Sequence, residues 1–188
     1  IKEKDVVLNI AKTLAPILEK DLGCEVILTR SNDSFVPLEE RTAIANTHGA
    51  DLFISLHINA HPAPKVRGLE TYYLNFSTNA EAMRVAAREN ATSTHQMSEL
   101  QDILSDIMQN SKINESSRLA HQVHQSILTR ANPVNNEYAS IKNLGVKQAP
   151  FYVLIGAQMP AVLLEMAFIS NEKDAANLTN PHFVAMIA

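Results

Sequence analysis

The spacing of apolar residues changes along the chain, from a helical period near its start to continuous runs further on. Segment 3–22 has apolar residues at helical spacing, which predicts a helix that ends at Gly23, a typical left-handed helix cap. The continuous apolar run at 52–56 predicts a strand that is buried on both faces, as in a parallel sheet, and a short strand is predicted at 160–165. Further strands are predicted at 24–30, 68–76 and 149–154. Further helices are predicted between Pro37 and Gly49, at 79–91, 98–110, 114–131 and 172–178, and from Pro181 onward.

This alternation of strands and helices predicts the α/β fold class. We expect one domain over residues 1–188, built on a mainly parallel mixed sheet that is flanked by helices on both faces. The chain has no internal repeat and no low-complexity tract. One insertion, at about 84–117, interrupts the predicted pattern of strands and helices.

Composition narrows the classes of function. The 188 residues are 46% apolar and carry a net charge of −4, which gives no electrostatic footprint for nucleic acid. The single cysteine, Cys24, excludes a cysteine-rich zinc site, so a metal here would need histidine and carboxylate ligands. No apolar stretch approaches the roughly 20 residues that span a bilayer. Because the chain begins at Ile1 without a methionine, we expect a fragment of a longer, exported protein.

Three side chains with catalytic potential are predicted to meet at one edge of the sheet. His57 ends the strand 52–56, Glu165 ends the strand 160–165, and Glu3 opens the first helix. In open α/β sheets, strand carboxyl ends and helix N-termini face the same edge, where sites form. A histidine and two carboxylates resemble the zinc ligands of hydrolases.

Each of these residues also has a structural explanation. His57 could hydrogen-bond a loop, and Glu3 is favourable at a helix N-terminus for its interaction with the helix dipole alone. Glu165 lies in the apolar run "MPAVLLEMAFISN", where a buried anion is costly unless it is paired or bound to a metal. From the residues alone, metal-dependent hydrolysis and a structural ion pair both stay open.

Longer motifs carry a resemblance to a known family. These motifs are "KEKDVVLNIA", "RTAIAN", "ADLFISLHINA", "GLETYYL", "ARENA", "APFYVL" and "PAVLLEMAFISN". Together, and in this order, they resemble the zinc-dependent N-acetylmuramoyl-L-alanine amidases of the amidase-3 type over essentially the whole chain. The resemblance implies hydrolysis of the amide between N-acetylmuramic acid and the L-alanine of the stem peptide in peptidoglycan.

The resemblance also implies roles for individual residues. In the family, zinc is held by the histidine of a Gly-His-Gly-Gly loop and by the residues that match Glu3 and His57, and the catalytic glutamate matches Glu165. This chain has no Gly-His-Gly-Gly, and we expect the family's first strand and that loop to lie just before Ile1. Asn59 lies two residues after His57, on the same face of an extended segment, where it could orient substrate or cap a turn.

The insertion is predicted to be regulatory. Its helix 98–110 carries an apolar stripe between two polar stretches, so it either packs on the domain or detaches. In family members with this insertion, the glutamate that matches Glu89 of "ARENA" coordinates zinc and occludes the site. The resemblance therefore implies autoinhibition by Glu89, relieved when a LytM-domain activator captures helix 98–110. Such enzymes act in the periplasm during cell division and cell separation.

Two other functions stay open at this point. A zinc carboxypeptidase or aminopeptidase would use the same kinds of ligand on an α/β sheet. A non-catalytic module that binds the cell wall or an activator would explain the missing histidine loop.

Overall fold

The computed structural model describes residues 1–92, 112–132 and 141–188. Six helices are described: α1 Glu3–Leu22, α2 Leu38–Thr47, α3 Ala80–Glu89, α4 Lys112–Ala131, α5 Glu172–Leu178 and α6 Pro181–Ile187. Four strands are described: β1 Phe53–Asn59, β2 Leu69–Leu74, β3 Asn143–Ala149 and β4 Ala161–Phe168. Two short 3-10 helices, Asn90–Thr92 and Tyr152–Leu154, accompany them.

The four strands form one mixed sheet in the order β1-β4-β2-β3. β1 is parallel to β4, β2 is parallel to β3, and β2 runs antiparallel to β4. The predicted fold class, an α/β protein with a mainly parallel mixed sheet, is therefore confirmed. The register sets His57 beside Glu165, and Glu165 beside Glu70 of β2, so three polar residues lie abreast across three neighbouring strands.

Each face of the sheet is buried under its own set of helices. On one face, Phe53, Tyr72 and Leu163 belong to a core cluster with residues of α2 and α3. On the other face, Ile58 and Leu164 belong to a second cluster with residues of α1, α4, α5 and α6. Every residue of β4 is buried, which explains why its sequence is continuously apolar apart from Glu165.

Helix α1 begins at Glu3, one of the predicted zinc ligands. Its first residue is Glu3, and its last turn ends at Gly23, whose φ of 65° lies in the left-handed region and whose N–H donates to Glu19 O at 3.1 Å. This ending agrees with the predicted helix and its glycine cap. α1 packs against β1 and belongs to the second core cluster through Val6 and Ile10, so its N-terminus is carried to the end of β1.

Two predicted strands are wrong. The strand expected at 149–154 is instead β3, which ends at Ala149, followed by the 3-10 helix Tyr152–Leu154, whose apolar residues are buried in the core. Among the described strands β3 pairs with β2 alone, so most of its residues are partly exposed and its sequence lacks a strong apolar pattern. Segment 24–30 does not join the described sheet, and Ile27 within it is 38% exposed.

The predicted insertion is described only at its two ends. Residues 84–92 belong to α3 and the 3-10 helix after it, and residues 112–117 belong to α4. The predicted helix 98–110 lies outside the described residues. Within the described part of the chain, no helix is long and apolar enough to cross a membrane.

Candidate metal centre

Glu3, His57 and Glu89 converge on one point at the end of β1. His57 Nδ1 lies 3.1 Å from Glu3 Oε1 and 3.0 Å from Glu89 Oε2. One potential ligand atom from each of the three residues lies within 4.8 Å of the others. Glu3 is held there by the backbone, because Ile58 N–H donates to its Oε1 at 3.1 Å. One nitrogen and two carboxylate oxygens at this separation can hold a divalent cation.

The second ring nitrogen of His57 has its own partner. His57 Nε2 lies 3.0 Å from Ser55 Oγ, and both side chains are buried. Ser55 and His57 are two residues apart on β1 and so share a face. When Nε2 carries the proton and donates it to Ser55, Nδ1 is left as the lone-pair nitrogen that faces Glu3 and Glu89. This is how a hydrogen-bond partner fixes the tautomer of a metal-binding histidine.

Glu165 lies beside this cluster on the neighbouring strand. Its side chain is fully buried, and its Oε2 has no hydrogen-bond partner among the described residues. Burial raises the pKa of Glu165 well above its ordinary value, against the opposing influence of the His57 charge. A buried carboxyl group with an unused oxygen can exchange a proton with a bound molecule.

The electrostatics of the cluster favour a positive charge between the carboxylates. Burial lowers the pKa of His57, but hydrogen bonds to Glu3 and Glu89 outweigh it and raise that pKa to about 10. Burial likewise raises the pKa of Glu89, and His57 and Arg88 outweigh it and lower that pKa to about 2. Three acidic side chains thus surround one imidazole, which makes the site suitable for a cation.

Arg88 is a functional candidate that the sequence reasoning did not single out. Its Nη2 donates to Glu89 Oε1 at 2.7 Å and lies 3.4 Å from Glu165 Oε1. Its Nη1 donates to Asn59 Oδ1 at 2.8 Å and to Ala60 O at 2.7 Å. The only available signal was its position next to Glu89 in "ARENA", because the contacts that define its role come from β1 and β4.

Asn59 connects Arg88 to a buried polar group on β2. Asn59 is fully buried and donates from Nδ2 to Glu70 Oε2 at 3.0 Å. Glu70 also accepts from Tyr72 Oη at 2.9 Å and pairs with Lys147 Nζ at 2.5 Å. These bonds use the polar atoms of Asn59 inside the protein, and its predicted contact with substrate stays a prediction.

The structure therefore brings together four predicted residues, Glu3, His57, Glu89 and Glu165, at one end of one sheet face. Their roles as ligands, inhibitor and catalyst stay predictions. His61 lies in the loop after β1, and its Nε2 is 3.5 Å from Glu81 Oε1 of α3.

Known proteins share this arrangement of sequence and fold. The profile of the N-acetylmuramoyl-L-alanine amidase family, Amidase_3, matches residues 1–188, which is the whole chain. The chain belongs to the Amidase_3 family. AmiA, an N-acetylmuramoyl-L-alanine amidase of Escherichia coli K12, is 35% identical over 196 residues, which cover 100% of this chain and 65% of AmiA. The chain thus spans just under two thirds of the length of that relative.

Solved Amidase_3-like structures agree with the fold. The N-acetylmuramoyl-L-alanine amidase AmiC2 of Nostoc punctiforme superposes with a TM-score of 0.66 at 28% identity, over 98% of this chain and 77% of that chain. An N-acetylmuramoyl-L-alanine amidase from Clostridium difficile 630 gives a TM-score of 0.72 at 24% identity, over 100% of this chain and 78% of that chain. The second likeness concerns the fold alone.

Proposed function

We propose that this chain is the catalytic domain of a zinc-dependent N-acetylmuramoyl-L-alanine amidase. It hydrolyses the amide between the lactyl group of N-acetylmuramic acid and the L-alanine of the stem peptide. The main support for this proposal comes from Glu165, which lies beside His57 and is a fully buried carboxyl group with one oxygen unpartnered among the described residues. The match of the whole chain to the Amidase_3 family agrees with it. A purely structural ion pair would leave no oxygen of a buried carboxylate unused.

The side chains of the cluster fit a zinc ion. Glu3 Oε1 and His57 Nδ1 would be two of its protein ligands, and Ser55 would orient the imidazole. Nitrogen and carboxylate oxygen are usual zinc ligands, and the described residues of the cluster include no softer donor. When bound, zinc supplies a Lewis acid that polarises the amide carbonyl and makes water more acidic.

Glu165 moves the proton of the reaction. As the water oxygen bonds to the carbonyl carbon, Glu165 accepts a proton from that water. It then delivers this proton to the nitrogen of L-alanine as the C–N bond breaks. The second proton of the water also ends on that nitrogen, so that a carboxylate and an ammonium group are the products. The raised pKa of Glu165 suits this exchange, because a carboxyl group with an ordinary pKa is a weak acid catalyst near neutral pH.

We assign Glu89 as an autoinhibitory metal ligand. Its Oε2 supports this assignment, because it lies 3.0 Å from His57 Nδ1, on the side of the imidazole where a metal would bind. We also propose that a LytM-domain activator relieves this inhibition by binding residues 98–110. A partner can drive this change only if it binds the open state more tightly than the blocked state. An enzyme that cleaves peptidoglycan acts outside the cytoplasm, and we place it in the periplasm.

The proposal is tested with the zinc-loaded protein and purified sacculi. Glu89→Ala is expected to raise the release of stem peptides above that of the unmodified protein. Adding Glu165→Gln to Glu89→Ala is expected to lower this release at least 100-fold, because general acid–base catalysis contributes roughly 10²–10⁴-fold. Glu172→Gln, which changes an exposed glutamate of α5, serves as the matched control and should leave the rate unchanged. Release that survives Glu165→Gln would remove Glu165 from catalysis.

A further inference from the structure

The guanidinium group of Arg88 has an anchored side and a side that faces the metal centre. On the anchored side, Nη1 donates to Asn59 Oδ1 and to Ala60 O at the end of β1. On the other side, Nε and Nη2 both donate to Glu89 Oε1, at 3.0 and 2.7 Å. Because β1 supplies the anchoring bonds, the guanidinium keeps its orientation without Glu89.

The carboxylate of Glu89 joins Arg88 to the metal centre. Its Oε1 accepts from the guanidinium, and its Oε2 lies 3.0 Å from His57 Nδ1. One oxygen of a single carboxylate is therefore bound to an arginine, and the other is directed at the metal-binding nitrogen. If Glu89 leaves, Nε and Nη2 lose the acceptor that they share, and the remaining contact of Nη2 is with Glu165 Oε1 at 3.4 Å.

Amide hydrolysis produces a carboxylate at this place. The C–N bond breaks, both protons of water end on the amine nitrogen, and the oxygen of water joins the carbonyl carbon. The product carboxylate therefore carries the former carbonyl oxygen and the oxygen of water as its pair. The two N–H donors of Arg88 would bind one oxygen of this pair, and a cation held by His57 and Glu3 would bind the other, as the two oxygens of Glu89 are placed now.

We infer that Arg88 binds the oxygen of the scissile carbonyl and then the lactyl carboxylate of the product, and that Glu89 inhibits by imitating this carboxylate. The inference rests on the proposed amidase function and names the residue that recognises the reacting group. In this role Arg88 is a catalytic residue, because its N–H groups donate to the carbonyl oxygen on which negative charge develops during the reaction. Loss of one such donor in other enzymes lowers kcat by about 10²–10³-fold.

The test uses the Glu89→Ala protein, in which Nε and Nη2 of Arg88 have lost the acceptor that they share, and N-acetylmuramic acid as the probe. Isothermal titration is expected to show at least tenfold weaker binding after Arg88→Lys, because lysine lacks the two fixed N–H donors that meet one carboxylate oxygen. Arg88→Gln is the second variant and keeps the side chain's hydrogen-bonding ability without its charge. The kcat for stem-peptide release should fall at least 100-fold in both. N-acetylglucosamine, which lacks the lactyl carboxylate, should not distinguish the three proteins.

A matched control lies one turn earlier on α3. Arg84 also donates from Nε and Nη2 to a carboxylate, that of Glu81, and its side chain is about as exposed as that of Arg88. Arg84→Lys in the Glu89→Ala protein should leave both binding and kcat unchanged. Melting curves of every variant check that the fold is retained.

One measurement needs no change at Arg88. If Glu89 occupies the place of the product carboxylate, N-acetylmuramic acid should bind the Glu89→Ala protein at least tenfold more tightly than the unmodified protein. Equal affinity would show that Glu89 does not occupy the place of the product carboxylate. Unchanged affinity and unchanged kcat after Arg88→Lys would rule out the role of Arg88. If Glu89→Ala with zinc releases no stem peptide at all, the amidase proposal itself fails, whatever the Arg88 variants do.

Discussion

Replacing Asn59 by alanine removes the side chain that holds β1, β2 and α3 together beside the metal centre. Asn59 Nδ2 donates to Glu70 Oε2 at 3.0 Å, and Asn59 Oδ1 accepts from Ala60 N at 2.7 Å and from Arg88 Nη1 at 2.8 Å. The side chain is fully buried, so water cannot replace these bonds without entering the core.

The expected loss of stability follows from these three bonds. A hydrogen bond to a buried charged group contributes about 1.5–3 kcal/mol, and a neutral one about 1 kcal/mol. The bond to Arg88 is discounted because that side chain is one third exposed and can bind water. Asn59→Ala should therefore lower the free energy of unfolding by about 3 kcal/mol, which for a chain of this size corresponds to a Tm about 6–12 °C lower.

Urea denaturation of Asn59→Ala and of a control variant, Asn46→Ala, measures this difference. Asn46 also makes two side-chain hydrogen bonds, to Gly156 O and from Gln158 N, but it is only partly buried. Its replacement should lower the free energy of unfolding by about 1 kcal/mol. If Asn59→Ala unfolds at the same urea concentration as the unmodified protein and only raises KM, Asn59 contacts substrate and the structural interpretation is wrong.

Two further predictions concern the backbone and the imidazole. Gly68 has a φ of 121°, and a Cβ there would lie 2.2 Å from Lys142 O, so Gly68→Ala should lower the free energy of unfolding by roughly 3 kcal/mol or more. Gly145 has a φ of 89° and no atom within 4 Å of an added Cβ, so Gly145→Ala should lower it by about 1–2 kcal/mol. Equal losses in urea denaturation would contradict the steric argument. Ser55→Ala should weaken Zn²⁺ affinity at least tenfold in competition with a chelator, because His57 loses the partner that fixes its tautomer, and unchanged affinity would mean that Nδ1 is not the ligand atom.

The parts of the fold that the sequence predicts correctly are those with strong local signals. α1 has a regular apolar period and a glycine cap, and β4 is a continuous apolar run, so both were predictable to within a few residues. β3 was missed because it pairs on one side only. Its Lys147 and Gln148 side chains bond to Glu70 and Tyr73 of β2, contacts that leave no apolar alternation in the sequence.

Some residues of the candidate site are also indicated by the sequence, and others are not. Glu165 stands out as an acid within an apolar run, and His57 as a histidine near the end of one, so composition and position indicate both. Glu89 was found only through the resemblance of "ARENA". Arg88 and Glu70 have ordinary sequence surroundings, and their importance comes from partners 11 to 77 positions away along the chain, which no local pattern contains.

The most direct test of the central claim is the chemical identity of the reaction products. Zinc-loaded Glu89→Ala protein is incubated with a purified muropeptide in H₂¹⁸O, and the products are analysed by mass spectrometry. The amidase account predicts an intact peptide that begins with L-alanine, together with a sugar whose lactyl carboxylate carries one ¹⁸O. A shortened peptide still attached to N-acetylmuramic acid, with free amino acids, would identify a zinc peptidase instead and contradict the account.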